Sequence, residues 1–252
     1  MPGYDDLVEQ ALRTSPRGWD FSRLRGRTSG GDPSWRYTER ASALLPAASR
    51  LLDLDTGGGE TLASLAPLAP LPPRAVATEG WWPNIPVAAE RLRPLGVTVL
   101  GATADAVPVR EATFDLVLNR HGALNAAEAA RVLTPGGRLL TQQVGSRNDL
   151  ELNVALGAPV PDPRAWTSAV AADRLRRHGF RVLDAREEMI DHAFHDIGAV
   201  VLHLRAVPWQ VHGFDLERHE GPLRSLHERI RSEGAFTTRH HRFLVEAVLP
   251  GP

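Results

Sequence analysis

The chain reads as an α/β protein with a doubly wound, mostly parallel sheet and helices on both faces. Two observations predict this. Short apolar runs of buried, non-alternating type recur between helix-like stretches. One of them stops at a glycine triplet that gives way to a helix, "LLDLDTGGGE" over residues 51–60. Strand and helix in repetition imply parallel pairing, and right-handed crossovers then bring the strand C-terminal ends to one rim, where ligands bind.

In order, strands are expected at 50–55 (RLLDLD), 74–78 (RAVAT), 97–101 (VTVLG), 114–119 (FDLVLN) and 137–145 (GRLLTQQVG), with a final pair at 180–189 (FRVLDAREEM) and 242–249 (RFLVEAVL). The helical stretches "TLASLAPL", "VAAERLRPLG" and "AAEAARVLTPGG" lie between them, several closed by Pro or Gly. Pro83 suits a helix opening. Residues 1–49 form an N-terminal helical cap in this reading, because Trp19, Phe21, Trp35 and Tyr37 are costly to leave in solvent. Residues 50–190 make the core, 191–238 an inserted helical lid or substrate wall, and 239–252 the final strand.

Composition narrows the function classes. The formal net charge is −1, and all 29 basic residues are arginine. Such balance gives no overall attraction to phosphate backbones, so nucleic acid is disfavoured as the partner. Without cysteine there is no disulfide framework, thiolate zinc site or cysteine nucleophile. The first residues, "MPGYDDLVEQ", lack a basic flank before an apolar core, and no apolar run approaches a membrane span. A soluble, cytoplasmic protein with no membrane partner is expected.

Three glycines suit close approach of a ligand to backbone, since glycine lacks Cβ and tolerates positive φ; a flexible loop is the plainer alternative. Glu79, about twenty positions on at the end of the second strand, is where an acid takes ribose hydroxyls in a dinucleotide fold. A carboxylate accepts two hydrogen bonds from a vicinal diol, although an acid there also serves a helix first turn.

From about Leu51 to Gly145 the chain resembles the class I S-adenosylmethionine-dependent methyltransferases that act on small molecules. "LLDLDTGGGE", "ATEGW", "ATADAVPVREATFDLVLNR" and "EAARVLTPGGRLLTQQ" are similar to that family's motifs in order and spacing. The resemblance implies a Rossmann-like seven-stranded sheet and S-adenosyl-L-methionine as cofactor. It implies Asp53, Asp55, Thr56, Gly57, Gly59, Glu79, Gly80 and Trp81 as cofactor-binding residues, with Gly57 and Gly59 at the methionine part and Glu79 at the ribose. Ala104 and Asp105 would lie at the adenine amino group, and Asn119 below the cofactor. In isolation Asp105 is as well explained as a turn residue, and Trp81 and Trp82 as filler between helix and sheet. Asp55 departs from the pattern, which usually has glycine there; its carboxylate either contacts the cofactor's ammonium group or obstructs it.

Methyl transfer from a sulfonium needs positioning above all. His121, just past the fourth strand, is the candidate base; shaping the pocket by hydrogen bonding is its other reading. Trp19, Trp35, Tyr37, Arg120, Trp209 and His212 are candidate substrate contacts. "DHAFHD" (191–196) holds Asp191, His192, His195 and Asp196, which read as a solvated polar loop with Asp196 as a helix N-cap; no metal site is expected. "NRHG" does not resemble the motif of base or Gln amine methylation. The expected reaction is methylation of an O or N atom, or a carboxyl, of a small molecule. The alternatives are an inactive cofactor-binding or regulatory protein, and an RNA or protein methyltransferase.

Overall fold

A computed structural model describes residues 2–14 and 21–251. The described chain forms helices α1 (Tyr4–Arg13), α2 (Tyr37–Leu44), α3 (Glu60–Leu65), α4 (Ile85–Leu92), α5 (Ala126–Val132), α6 (Leu150–Ala155), α7 (Ser168–Arg177), α8 (Ile197–Ala206) and α9 (Glu220–Glu233). The strands are β1 (Thr28–Gly30), β2 (Arg50–Leu54), β3 (Arg74–Glu79), β4 (Val97–Gly101), β5 (Phe114–Arg120), β6 (Leu133–Val144), β7 (Arg181–Phe194) and β8 (Phe236–Val248). They form one sheet in the order β1-β7-β8-β6-β5-β2-β3-β4. Strands β4, β3, β2, β5 and β6 pair in parallel, and β8 lies antiparallel to β6. Among the described residues no helix is long and apolar enough to cross a membrane.

The α/β class stands, with three corrections. Eight strands replace the expected seven: the addition is β1, whose Thr28, Ser29 and Gly30 pair with Phe194, Ala193 and His192 at the end of β7. Three residues in a Gly/Ser/Arg stretch carry no period from which to read a strand. Second, β7 continues through "DHAF", so Asp191 and His192 are strand residues and not loop. Third, β8 begins at Phe236, which places "RHHR" (239–242) inside the strand.

Contacts divide the chain into two compact units. One comprises the described residues up to 32 together with 146–165 and 189–241; the other comprises 33–145, 166–188 and the described residues from 242. Residues 33–49, including α2, therefore cluster with the parallel strands.

In the first unit α8 is the centre, buried from Ile197 to Leu204, as its apolar residues on most sides predict. Asp196 caps it, accepting from the Ala199 N–H at 2.9 Å. Helix α1 packs against it at Gly198, where a Cβ would fall 2.7 Å from the Leu7 carbonyl oxygen. Leu223, Leu226 and Ile230 of α9 complete this core. Asp149 is fully buried there, 3.5 Å from His203 Nε2 and 3.7 Å from His240 Nε2. Burial raises its pKa, but His203, His240 and His192 more than offset that and hold the carboxyl below its ordinary value. His192 stacks on His240 at 4.0 Å. Among the described residues no group of three or more acids and histidines is arranged to hold a metal ion.

The second unit explains the non-alternating runs: both faces of its parallel strands are covered. Leu51, Leu116, Leu118, Leu140 and Leu244 meet α2, α3 and α4 on one face. Leu52, Leu54, Val117, Leu139 and Phe243 meet α5 and α7 on the other. Helix α2 is held by ion pairs from Arg40 to Asp184 and Glu246, the latter also bound by Arg138 of β6.

Candidate functional site

The C-terminal ends of the parallel strands bring together the acids that the sequence singled out. Asp53 is the penultimate residue of β2, Asp55 follows that strand, Glu79 ends β3, and Asp105 lies in the turn after β4. Asp53 is 7% exposed and Glu79 5%. Burial raises the Asp53 pKa to about 7, with the neighbouring Asp55 charge adding to it. Burial raises Asp55 to about 6; a bond from the Ala123 N–H opposes this, while the Glu79 and Asp105 charges reinforce it. Burial also raises Glu79, although the Trp81 N–H donates to its Oε1 at 2.6 Å. Three buried or partly buried carboxyls, Asp53, Asp55 and Glu79, with the exposed Asp105 beside them, form a field that a cation would relieve.

The glycine turn is shaped for close approach. Gly57 has φ 66° and Gly59 φ 80°, and a Cβ at Gly59 would come 2.8 Å from Leu92 of α4. Thr56 N–H donates to the Thr78 carbonyl at 2.8 Å, and Gly59 N–H to the Thr56 carbonyl at 3.1 Å. Arg91 of α4 pins the loop through the Gly58 carbonyl and Glu60. Asp55 itself lies at φ 52°, the left-handed region that glycine fills easily and Asp tolerates better than most residues. Its side chain turns onto the loop after β5, where Oδ2 accepts from Ala123 N–H at 2.9 Å and Gly122 leaves the space for it.

The other predicted residues fall in different places. Gly80 faces Thr103, with room for a Cβ only at 3.1 Å. Trp81 and Trp82 are 49% and 79% exposed, so they do not fill space between helix and sheet. Pro83 opens a short 3₁₀ turn leading into α4. Ala104 is buried, and Asp105 Oδ1 accepts from Asn125 Nδ2 at 2.9 Å. Arg120 is exposed and donates to Thr61 Oγ1. Trp209 and His212 are exposed residues of the first unit. Trp19 lies outside the described residues.

Asn119 is fully buried and hydrogen-bonded within the protein. Its Nδ2 donates to the carbonyls of Leu54 and Ala123, and its Oδ1 accepts from Thr141 Oγ1 at 2.8 Å and Gln143 Nε2 at 2.5 Å. It ties β2, β5, β6 and the loop after β5 together. Tyr37 and Trp35, read in the sequence as substrate-facing cap residues, are core residues of the second unit, 5% and 4% exposed. The Tyr37 hydroxyl is buried without a hydrogen bond of normal geometry, within electrostatic reach of Asp53. Thr56 Oγ1 likewise lacks a hydrogen bond of normal geometry, although it faces the Asp53 carboxyl and opposes the rise in its pKa. Unsatisfied buried hydroxyls next to a buried acid suit a ligand carrying both an ammonium and a carboxylate.

Past β5, His121 is an exposed residue at φ 63°. Its backbone N–H donates to the Gln142 carbonyl at 2.7 Å, and its Nε2 lies 3.0 Å from Gln142 Nε2. Gln142 Oε1 accepts from Trp35 Nε1 at 2.7 Å. The reading of the sequence missed both glutamines. The available signal was "LLTQQV", two adjacent amides inside an apolar strand; alternation sends Gln143 to Asn119 and Gln142 to the opposite face.

Residues 52–141 match a family described as methyltransferase domain. Over this segment the chain is similar to methyltransferase domains. It is 35% identical over 120 residues to a demethylmenaquinone methyltransferase of Thermus thermophilus, covering 44% of this chain and 54% of that protein. It is 31% identical over 137 residues to a ubiquinone/menaquinone biosynthesis C-methyltransferase, UbiE, of Syntrophotalea carbinolica, covering 51% and 56%. The chain thus spans about half the length of the curated relatives it matches. Among solved structures, a putative methyltransferase of Bacillus halodurans C-125 has the same fold at TM-score 0.60 and 19% identity, over 84% of this chain and 97% of that one. The matched segment contains the glycine turn, Glu79, Asp105 and Asn119, and stops before Gln142.

Proposed function

We propose that the protein transfers a methyl group from S-adenosylmethionine to an oxygen or nitrogen of a small-molecule acceptor. The observation that carries this is the convergence of Asp53, Asp55, Glu79 and Asp105 around a glycine turn, with the buried, unmatched Tyr37 hydroxyl beside them. In this reading Asp53 meets the cofactor's ammonium group and the Tyr37 hydroxyl donates to its carboxylate. Glu79 accepts from the ribose diol, and Asp105 accepts from the adenine amine. Asp55 stays on the loop after β5 and contributes charge, so binding is retained despite the missing glycine. Asn119 is a brace for the strand tips and not a contact. When bound, the cofactor supplies an electrophilic methyl group on a sulfonium. Its displacement needs an aligned nucleophile more than a strong base, which leaves the protein the work of holding the acceptor near His121.

One of the two relatives, UbiE, is a C-methyltransferase by name. That chemistry comes to this chain only as a candidate acceptor set for the same assay. Calorimetric titration with S-adenosylmethionine and S-adenosylhomocysteine tests the cofactor. Both ligands are expected to bind the wild type, and Glu79→Ala to weaken them roughly 10- to 150-fold, the value of a charge-assisted hydrogen bond. Folded wild-type protein that bound neither ligand would overturn the proposal.

A further inference from the structure

We infer that Arg120 serves the cofactor and not the acceptor: its guanidinium pairs with the carboxylate of the methionine part and makes the site prefer that ligand over its decarboxylated form. Resting on the proposed cofactor, this names the group that selects it.

Side chains alternate across a strand, so residues two apart share a face. Leu116 and Leu118 of β5 pack with Leu51 of β2 in the layer that contains α2, α3 and α4. The same period puts Arg120 and Asp53 on that face, and Leu118 lies beside Asp53 in the parallel register. Tyr37 of α2 is buried in the same layer. Arg120 reaches along this face to Thr61 Oγ1 at 3.2 Å, two residues past Gly59. The guanidinium, the Asp53 carboxyl and the Tyr37 hydroxyl therefore lie on one side of the sheet, next to the glycine turn. Asn119, one residue earlier, turns the other way to Thr141 and Gln143. The charges agree with this placement, since Arg120 favours the ionised forms of both Tyr37 and Asp53 against the burial that opposes them.

The ligand's own chemistry calls for such a cation. Asp53, Asp55 and Glu79 favour a sulfonium and an ammonium, but the same field repels the carboxylate carried by the same molecule. The Tyr37 hydroxyl supplies a hydrogen bond and no charge. Arginine stays protonated throughout the range in which these acids titrate, and its planar fork offers a carboxylate two parallel N–H donors. The bond to Thr61 engages one N–H of a side chain that has five. Arg120 is also exposed at the strand tip, open to a ligand. Asp53 on the ammonium and Arg120 on the carboxylate would read the two ends of an α-amino acid together.

The test is calorimetric titration near pH 8, on the acid-ionised side of Asp53 and Asp55, with S-adenosylhomocysteine and its decarboxylated analogue. Wild type is expected to bind the carboxylate-bearing ligand roughly 10- to 150-fold more tightly, the value of a charge-assisted hydrogen bond. Arg120→Met should remove that preference by weakening S-adenosylhomocysteine while leaving the decarboxylated analogue bound at least as well as by wild type. Arg120→Lys keeps the charge without the fork and should retain part of the preference. A wild type with no preference overturns the inference, as does an Arg120→Met protein that keeps the preference or weakens both ligands alike, the pattern of a merely structural role. Wild type that bound neither ligand would overturn the cofactor reading and this inference together, whereas binding of both with an unchanged ratio in Arg120→Met removes the inference alone.

Discussion

Lowering the pH from about 8 to about 5 should weaken S-adenosylmethionine binding by up to roughly a thousandfold. The cofactor brings a sulfonium and an ammonium, and both are favoured by ionised carboxyls at the strand tips. In the protein alone, burial and mutual repulsion raise Asp53 to about 7 and Asp55 to about 6. Affinity falls about tenfold for each pH unit below such a value when the bound state requires the charge. Asp53 contributes two units of that window and Asp55 one.

Acid unfolding is separable by its sign. A carboxyl raised in the folded state stabilises the fold fully below its unfolded value, and that contribution is lost as the pH rises through about 6 and 7. These two groups therefore make the unliganded protein more stable over the same interval in which binding weakens. Asp149, whose pKa is lowered, gives up its contribution only below the ordinary carboxylate range. The measurement is a calorimetric Kd series across pH, with melting temperatures of the free protein alongside. Asp55→Asn keeps an acceptor for the Ala123 N–H and tolerates the left-handed backbone, and should flatten the profile by about tenfold. S-adenosylhomocysteine, without the sulfonium, should show a shallower profile. An affinity constant across the window would mean that the carboxyls do not face the cation.

The parallel core was legible because its physics is local. Fully covered strands such as 114–119 must be apolar on both faces, and the glycine turn at 57–59 needs its positive φ whatever surrounds it. The order of acids after successive strands follows from the crossover rule. Other features depend on partners distant in sequence. Trp35 reaches Gln142 across 107 residues, and Asn119 reaches Leu54 across 65. Neither distance leaves a period or a spacing to read. The strand β1 and the extension of β7 through His192 form only because each supplies the other's hydrogen bonds, and "DHAF" viewed alone has the composition of a loop. Asp55 lies between the cases. The departure from glycine was visible, whereas its accommodation by Gly122 and the Ala123 N–H needed the fold.

Asn119→Ala should cost about 3–5 kcal/mol of stability while leaving cofactor affinity of the folded protein within a few fold. The side chain is buried, and its amide satisfies the Leu54 and Ala123 carbonyls while its oxygen serves Thr141 and Gln143. Removing it strands acceptors on one side and donors on the other, in a place water does not reach. Each orphaned buried group costs about 1–3 kcal/mol, and partial rescue is available because Gln143 Nε2 also donates to Thr141 Oγ1 at 2.8 Å. Asn119→Asp should be no milder, since a carboxylate would face two carbonyl oxygens with nothing to donate. A direct cofactor contact predicts the reverse pattern, with the denaturation midpoint nearly unchanged and S-adenosylmethionine affinity reduced tenfold or more. Urea denaturation of the free protein, paired with calorimetric binding under native conditions, separates a brace from a ligand. It also decides whether the loop carrying His121 and Ala123 is anchored through β5, as the hydrogen bonds at Asn119 require.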